Sequence, residues 1–187
     1  MNNLDVSVLI LCGGKGTRME GADKPLLEWR GQPLVDWVIA QVPQDMPLLI
    51  SANRNVDEYR RRATVVTDQG LPGEGPLVGI LAGLSLAKTE YVAVIPGDAP
   101  KLPPQWLQRL EQAMASNRAL AAVVTCDEER QQNLHLLLRK SSCVESLETF
   151  LRTGRHQVFR WLDSLNTTAV KFTGSVSNFN QQVDFNQ

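Results

Sequence analysis

Val8-Leu9-Ile10-Leu11-Cys12-Gly13-Gly14-Lys15-Gly16-Thr17-Arg18-Met19-Glu20-Gly21-Ala22-Asp23-Lys24-Pro25 is the stretch on which the reading of this chain turns. Its first five residues are an unbroken apolar run, the pattern of a strand covered on both faces. The run stops at Gly13-Gly14. Three glycines within four residues, Gly13, Gly14 and Gly16, ease positive φ and let backbone N–H groups approach a ligand that a Cβ would hold away. Lys15, Arg18 and Lys24 follow within ten residues, against only Glu20 and Asp23. The loop therefore suits an anion, and the expected anion is a nucleoside triphosphate. Two common phosphate motifs do not fit. Counting from Gly14, the sixth position of Gly-x-Gly-x-x-Gly falls on Met19, and no Gly-Lys-Ser/Thr is present.

Outward from this stretch, strand and helix patterns alternate. Leu34, Trp37, Val38 and Val42 have helical spacing after the turn at Gly31-Gln32-Pro33, and Pro43 closes that helix. Pro47 to Ser51 reads as a buried strand ending in the polar loop Ala52-Asn53-Arg54-Asn55, Val56 to Arg62 as a helix, and Thr64 to Thr67 as a strand. Then come a small-residue helix from Gly79 to Ala87, a buried strand from Tyr91 to Ile95, a helix from Pro103 to Met114 and a strand from Leu120 to Thr125. Further on, Asp127 to Gln132 reads as a polar loop and Asn133 to Lys140 as a strand. A helix capped by Ser141 or Ser142 runs to Gly154, Val158 to Leu165 gives another helix, and Thr168 to Phe172 a last strand. This order predicts an α/β fold: one three-layer domain over residues 1–187 with a mostly parallel, Rossmann-like sheet and right-handed crossovers. Ligands should then lie above the carboxyl ends of the strands. Trp29, Trp37, Trp106 and Trp161 are expected in the core.

The totals narrow the function. At 187 residues the chain can bury one substantial core. A net charge of -1 speaks against a nucleic-acid surface. Cys12, Cys126 and Cys143 are odd in number and far apart, as expected of reduced thiols in a cytoplasmic protein. The first residues carry no basic leader pattern, and no apolar run approaches the roughly 20 residues of a membrane helix. Neither His135 nor His156 has a Ser or Cys partner at a recognisable spacing, so no hydrolase is expected.

Four loops should share the carboxyl edge: Gly13 to Lys24, Ala52 to Asn55, Asp68 to Val78 and Pro96 to Lys101. The third is long and rich in Gly and Pro, and suits equally a lid over substrate or a surface excursion. In the fourth, Asp98 follows a buried strand and is framed by Pro96-Gly97 and Ala99-Pro100. Transfer at a nucleotide's α-phosphate needs alignment and charge neutralisation more than a protein nucleophile. Magnesium serves that need with few protein ligands, and Asp98 is the candidate to hold it.

Leu11-Cys12-Gly13-Gly14-x-Gly16-x-Arg18-Met19 followed by Asp23-Lys24-Pro25 resembles the opening motif of GT-A-like nucleotidyltransferases. The Gly13-Gly14 pair and the chain length are similar to those of the molybdenum cofactor guanylyltransferases; related cytidylyltransferases usually carry Ala-Gly there. Gly75-Pro76-Leu77-x-Gly79 resembles a further segment of the family. The resemblance implies transfer of GMP from GTP to the terminal phosphate of molybdopterin, with magnesium pyrophosphate leaving. It implies Lys24 and Arg18 on the triphosphate, and Leu11, Cys12, Gly13 and Gly14 against guanine and ribose. Asn53 and Asp68 are implied on the nucleotide, and Asp98 on both metal and nucleotide. Residues 1–125 would form the nucleotide-binding half and 126–187 the acceptor-binding half. Asn178 and Asn180 are similar to a family Asn-x-Asn-Thr-Pro segment but lack its Thr-Pro, and Gln132-Asn133 stands where the family often has His-Pro. Arg155, in a basic cluster with His156 and Arg160, would hold the pterin phosphate or form a solvated helix face. Transient contact with cofactor-delivering or molybdoenzyme partners is implied as well. The alternatives are a cytidylyltransferase or sugar-phosphate nucleotidyltransferase of the same fold, and a non-catalytic nucleotide-binding accessory protein.

Overall fold

The computed structural model describes residues 4–13, 22–68, 70–71, 75–126 and 131–173. At its centre is a seven-stranded sheet. It is built from β1 (Val6–Leu11), β4 (Leu48–Ser51), β5 (Thr64–Val66), β6 (Tyr91–Pro96), β7 (Ala121–Thr125), β8 (Gln131–Arg139) and β9 (Thr167–Lys171) in the order β5-β4-β1-β6-β8-β7-β9. A small antiparallel pair, β2 (Glu28–Trp29) and β3 (Gln32–Pro33), lies outside it. The helices are α1 (Leu34–Ile39), α2 (Val56–Arg60), α3 (Pro76–Leu86), α4 (Trp106–Asn117), α5 (Lys140–Arg152) and α6 (Val158–Asp163). The expected α/β fold with a mostly parallel sheet is therefore present. β1 is an interior strand, pairing in parallel with β4 on one side and β6 on the other, and all six of its residues are buried. That double coverage is why five of its six residues are apolar rather than alternating; Ser7, the exception, is buried and accepts from Thr89 Oγ1 at 2.7 Å.

The strand faces sort the core into two layers. Val8, Ile10, Ala93, Ile95, Ala122 and Leu137 pack with Val35, Val38, Tyr59 and Leu110 on one face. Leu9, Leu11, Val92, Val94, Leu136 and Leu138 pack with Leu77, Ile80, Leu81, Leu84 and Leu147 on the other. α3 lies so close to β1 that a Cβ on Gly83 would stand 2.3 Å from Leu9 Cδ2, and this proximity explains the small residues along that helix. Trp29, Trp106 and Trp161 are buried as expected, whereas Trp37 is half-buried, edge-on to Trp29 at 5.3 Å between ring centroids.

Several expected boundaries move. α3 starts at Pro76, three residues before Gly79, because Pro supplies a preset φ at the first helical position. α4 starts at Trp106 rather than Pro103: Gln105 is left-handed (φ 55°) and breaks the helix before it. α5 begins at Lys140 with Arg139 before it, so neither Ser141 nor Ser142 caps it. Gln131 and Gln132 belong to β8, and β8 itself runs antiparallel to both β6 and β7.

β8 also carries His135, which is 1% exposed, and its Nε2 has no hydrogen-bond partner among the described residues. Burial pushes this imidazole down from 6.5 to about 4. An unfolded chain takes up the proton near its ordinary pKa while the folded chain refuses it. The contribution of His135 to stability is thus complete above 6.5 and lost as pH falls from there toward 4. Unfolding free energy measured in urea should drop by up to about 3 kcal/mol across that window from this residue. His135→Leu should flatten the slope, and an unchanged slope would assign the pH dependence to other groups.

Candidate functional site

Because β1, β4, β5 and β6 are parallel neighbours, their carboxyl ends open on one edge, and each releases a loop there. β1 ends where two backbone bonds lock it to its neighbours: Cys12 N–H donates to the Ser51 carbonyl at 2.8 Å, and Gly97 N–H donates to the Leu11 carbonyl at 2.9 Å. Leu11 and Cys12 thus use main-chain groups within the sheet. Gly13 is the first residue to leave it and is exposed, with open space where a side chain would be. The chain returns at Ala22 and Asp23 and enters a short 3-10 turn, Lys24–Leu26.

This turn faces the exit of β6. Lys24 Nζ lies 4.0 Å from Asp98 Oδ2, with the two side chains 20% and 23% exposed. The approach depends on Gly97, since a Cβ there would meet Cys12 Sγ at 2.6 Å and Pro25 at 3.2 Å. Burial pushes the Asp98 carboxyl above its usual range, and the Lys24 cation and a backbone hydrogen bond pull it back. Burial likewise raises the Cys12 thiol well above its ordinary value, with the Asp23 charge adding to the effect. Cys12 is therefore a neutral packing group, not a nucleophile.

The other two loops join at the same edge. Asn53 Oδ1 accepts the Asp68 N–H at 3.2 Å, connecting the exits of β4 and β5. Asn55 Nδ2 donates to Asp23 Oδ2 at 2.9 Å, connecting the β4 exit to the segment that carries Lys24. Of the residues expected from the sequence, Lys24 and Asp98 come together as a pair, Asn53 and Asp68 as another, and Leu11, Cys12 and Gly13 form the mouth of β1 between them. Gly14, Arg18, Asn178 and Asn180 lie outside the described residues, as do parts of the Asp68 to Val78 loop. Arg155 is exposed in the turn between α5 and α6, away from these four strand exits in the chain order. Sequence reading missed the Asp23–Asn55 contact. Its one signal was Asn before Val-Asp-Glu, which reads only as a helix cap.

An edge like this can hold a phosphate chain against a cation, with a carboxylate alongside to take a metal ion. Asp98 offers hard carboxylate oxygens of the kind magnesium takes, and it would do so as a single protein ligand, since no group of three or more His, Cys, Asp or Glu placed to hold a metal occurs among the described residues. Phosphate oxygens and water would have to complete the ion's shell, which is how this ion is commonly bound. No helix among the described residues is long and apolar enough to cross a membrane.

Comparison with known proteins gives a consistent result. Residues 8–168 match the family model described as the MobA-like NTP transferase domain. A molybdenum cofactor guanylyltransferase of Ectopseudomonas mendocina is 40% identical over 167 residues, spanning 88% of this chain and 81% of that one. One of Vibrio cholerae is 38% identical over 176 residues, spanning 94% and 85%. Among solved structures, molybdopterin-guanine dinucleotide biosynthesis protein A from Archaeoglobus fulgidus superposes with a TM-score of 0.72 at 22% identity, covering 88% of this chain and 83% of that one. The Francisella tularensis 2-C-methyl-D-erythritol 4-phosphate cytidylyltransferase superposes with a TM-score of 0.75 at 13% identity, covering 97% of each chain. These two likenesses concern the fold alone.

Proposed function

This chain belongs to the MobA-like NTP transferase family and is a nucleotidyltransferase, and from that premise we propose that it transfers GMP from GTP to the terminal phosphate of molybdopterin. The products are the guanine dinucleotide form of the cofactor and pyrophosphate. The observation that carries the reading is the Lys24–Asp98 pair, 4.0 Å apart at the mouth of the central strands. The names of the relatives at 38 and 40% identity support the choice of guanine and of acceptor.

In the proposed reaction a phosphate oxygen of molybdopterin attacks the α-phosphorus of GTP. The new P–O bond forms as the bond to the bridging α–β oxygen breaks, and that electron pair leaves with pyrophosphate. No covalent enzyme intermediate is needed. Lys24 holds the triphosphate and offsets the charge that builds on the leaving group. Arg18 assists it. Leu11, Cys12, Gly13 and Gly14 seat guanine and ribose, while Asn53 and Asp68 hold the nucleotide from the neighbouring strand exits. Asp98 would hold Mg2+, which when bound supplies Lewis-acid neutralisation of the phosphate oxygens. The chain acts as one domain, with residues 1–125 binding nucleotide and 126–187 binding acceptor, where Arg155, Asn178 and Asn180 are the proposed contacts. It works in the cytoplasm, where its three free, buried cysteines stay reduced, and meets cofactor-delivering or molybdoenzyme partners only transiently.

The test is a transfer assay with each of the four nucleoside triphosphates, Mg2+ and molybdopterin, following pyrophosphate. Release with GTP and only when molybdopterin is present is the expected result. Release with CTP would make the protein a cytidylyltransferase, and nucleotide binding without turnover would make it an accessory protein.

A further inference from the structure

Asp23 precedes Lys24 and occupies the position that caps its 3-10 turn, yet its carboxylate makes no capping hydrogen bond. Asn55 occupies the capping position of α2, and its side chain makes no capping bond either. Asp and Asn at such positions ordinarily accept from the first N–H groups of their own helix. Here both side chains turn away from that role and meet each other, Nδ2 to Oδ2 at 2.9 Å, across 32 residues of sequence. Asn55 is also left-handed, with φ 48° and ψ 33°. Among non-glycine residues Asn and Asp tolerate that conformation best, through their short polar side chains.

α2 provides a firm base for this contact. Tyr59, one turn along, donates its backbone N–H to the Asn55 carbonyl at 3.2 Å and is itself fully buried. Its hydroxyl is directed at the Asp23 carboxylate and the Cys12 thiol, so Tyr59 backs the same carboxylate that Asn55 holds. Arg62 then clamps Asp36 of α1 through Nε at 2.6 Å and Nη2 at 3.0 Å. The Asp23 end of the segment is thus seated on α2, and the Pro25 end packs beside Gly97. Lys24 stands between these two supports and reaches Asp98.

We infer that Asn55 is a positioning residue, which through its bond to Asp23 fixes the segment that aims Lys24 at the triphosphate and at Asp98. The inference deepens the proposed function and rests on its placing Lys24 on the nucleotide. Because the bond is exposed, its effect on overall stability is small. Its effect on reaction is larger, since a slight misplacement of a charge-neutralising group is costly in the transition state.

Asn55→Gly keeps the left-handed backbone and removes the amide. It should lower kcat/KM for the nucleotide about ten-fold, chiefly in kcat, with a melting temperature close to wild type. The exchange Asp23→Asn with Asn55→Asp reverses donor and acceptor, leaves the charge count unchanged and should recover most of the loss. A second readout needs neither nucleotide nor acceptor: acylation of Lys24 by an N-hydroxysuccinimide ester, followed by mass spectrometry. Lys24 is four-fifths covered, so loss of its seat in Asn55→Gly should raise its acylation rate several-fold, and the exchanged pair should restore it. Wild-type acylation of Lys24 in Asn55→Gly would overturn the inference even if GTP transfer is established. Raised acylation in a protein that transfers no GMP would uphold the seat and count only against the transfer reading.

Discussion

Asp98→Asn is expected to lower turnover by roughly two to three orders of magnitude, with the fold intact. Asn matches Asp in size, and the turn around residue 98 is held by its backbone, where Ala99 N–H donates to the Pro96 carbonyl at 3.4 Å. What changes is the charge. The neutral amide gives Lys24 no ion-pair partner and offers a hard cation no anionic oxygen. Stability at neutral pH should stay level or rise slightly, because burial works against the Asp98 charge. A carboxyl whose folded pKa is raised contributes stability that is present below its unfolded pKa and lost as pH rises through the folded value. Removing the group therefore costs nothing at neutral pH. Pyrophosphate release together with a thermal melt tests both parts, and an unchanged rate would move the metal-holding role to another residue.

Lys24→Ala is expected to lower kcat/KM for GTP by about a hundred-fold. Two effects combine: the triphosphate loses a cation, and the Asp98 carboxylate loses the one 4.0 Å away. If Lys24 contacts the triphosphate equally before and during transfer, KM alone rises. If it answers the charge developing on the leaving pyrophosphate, kcat falls as well. The second outcome is expected. Lys24→Arg should retain part of the activity, since it keeps the charge but substitutes a planar fork for a compact ammonium group. Steady-state kinetics on both variants separates these cases, and wild-type constants for Lys24→Ala would remove this residue from the site.

Much of the fold is legible in the sequence because its strands are either buried on both faces or bounded by clear turns. Val8 to Cys12, Pro47 to Ser51 and Tyr91 to Ile95 are short apolar runs, each followed by a polar or glycine-containing loop. Their order fixes which loops share an edge. Strand direction is harder to read at β8, where Asn133 to Lys140 has the pattern of a strand whichever way it runs. The connection decides: only residues 126–130 separate β7 from β8, too few for the dozen or more that a parallel crossover needs. The helix starts at Pro76 and Trp106 depended on local conformation, including a left-handed Gln105, that residue types alone do not specify.

The candidate site divides in the same manner. Lys24 and Asp98 stand out as candidates from the residues themselves, a cation beside the glycine loop and a carboxylate beyond a buried strand, whereas Asn53 and Asp68 are candidates only through the family resemblance. The bond between Asp23 and Asn55 is not legible in either way, since a contact between residues 32 apart follows only from the register that sets β4 beside β1. His135 gave no signal either, because a lone polar residue in an apolar strand does not reveal which face it enters or what it meets there.

A crystal structure of the protein with GTP and Mg2+ would show whether Lys24 and Asp98 serve one nucleotide site. The triphosphate should lie against Lys24, with Mg2+ on the Asp98 carboxylate and the guanosine against residues 11–14. A triphosphate bound away from Lys24 and Asp98, or a metal held by other side chains, would contradict a shared site.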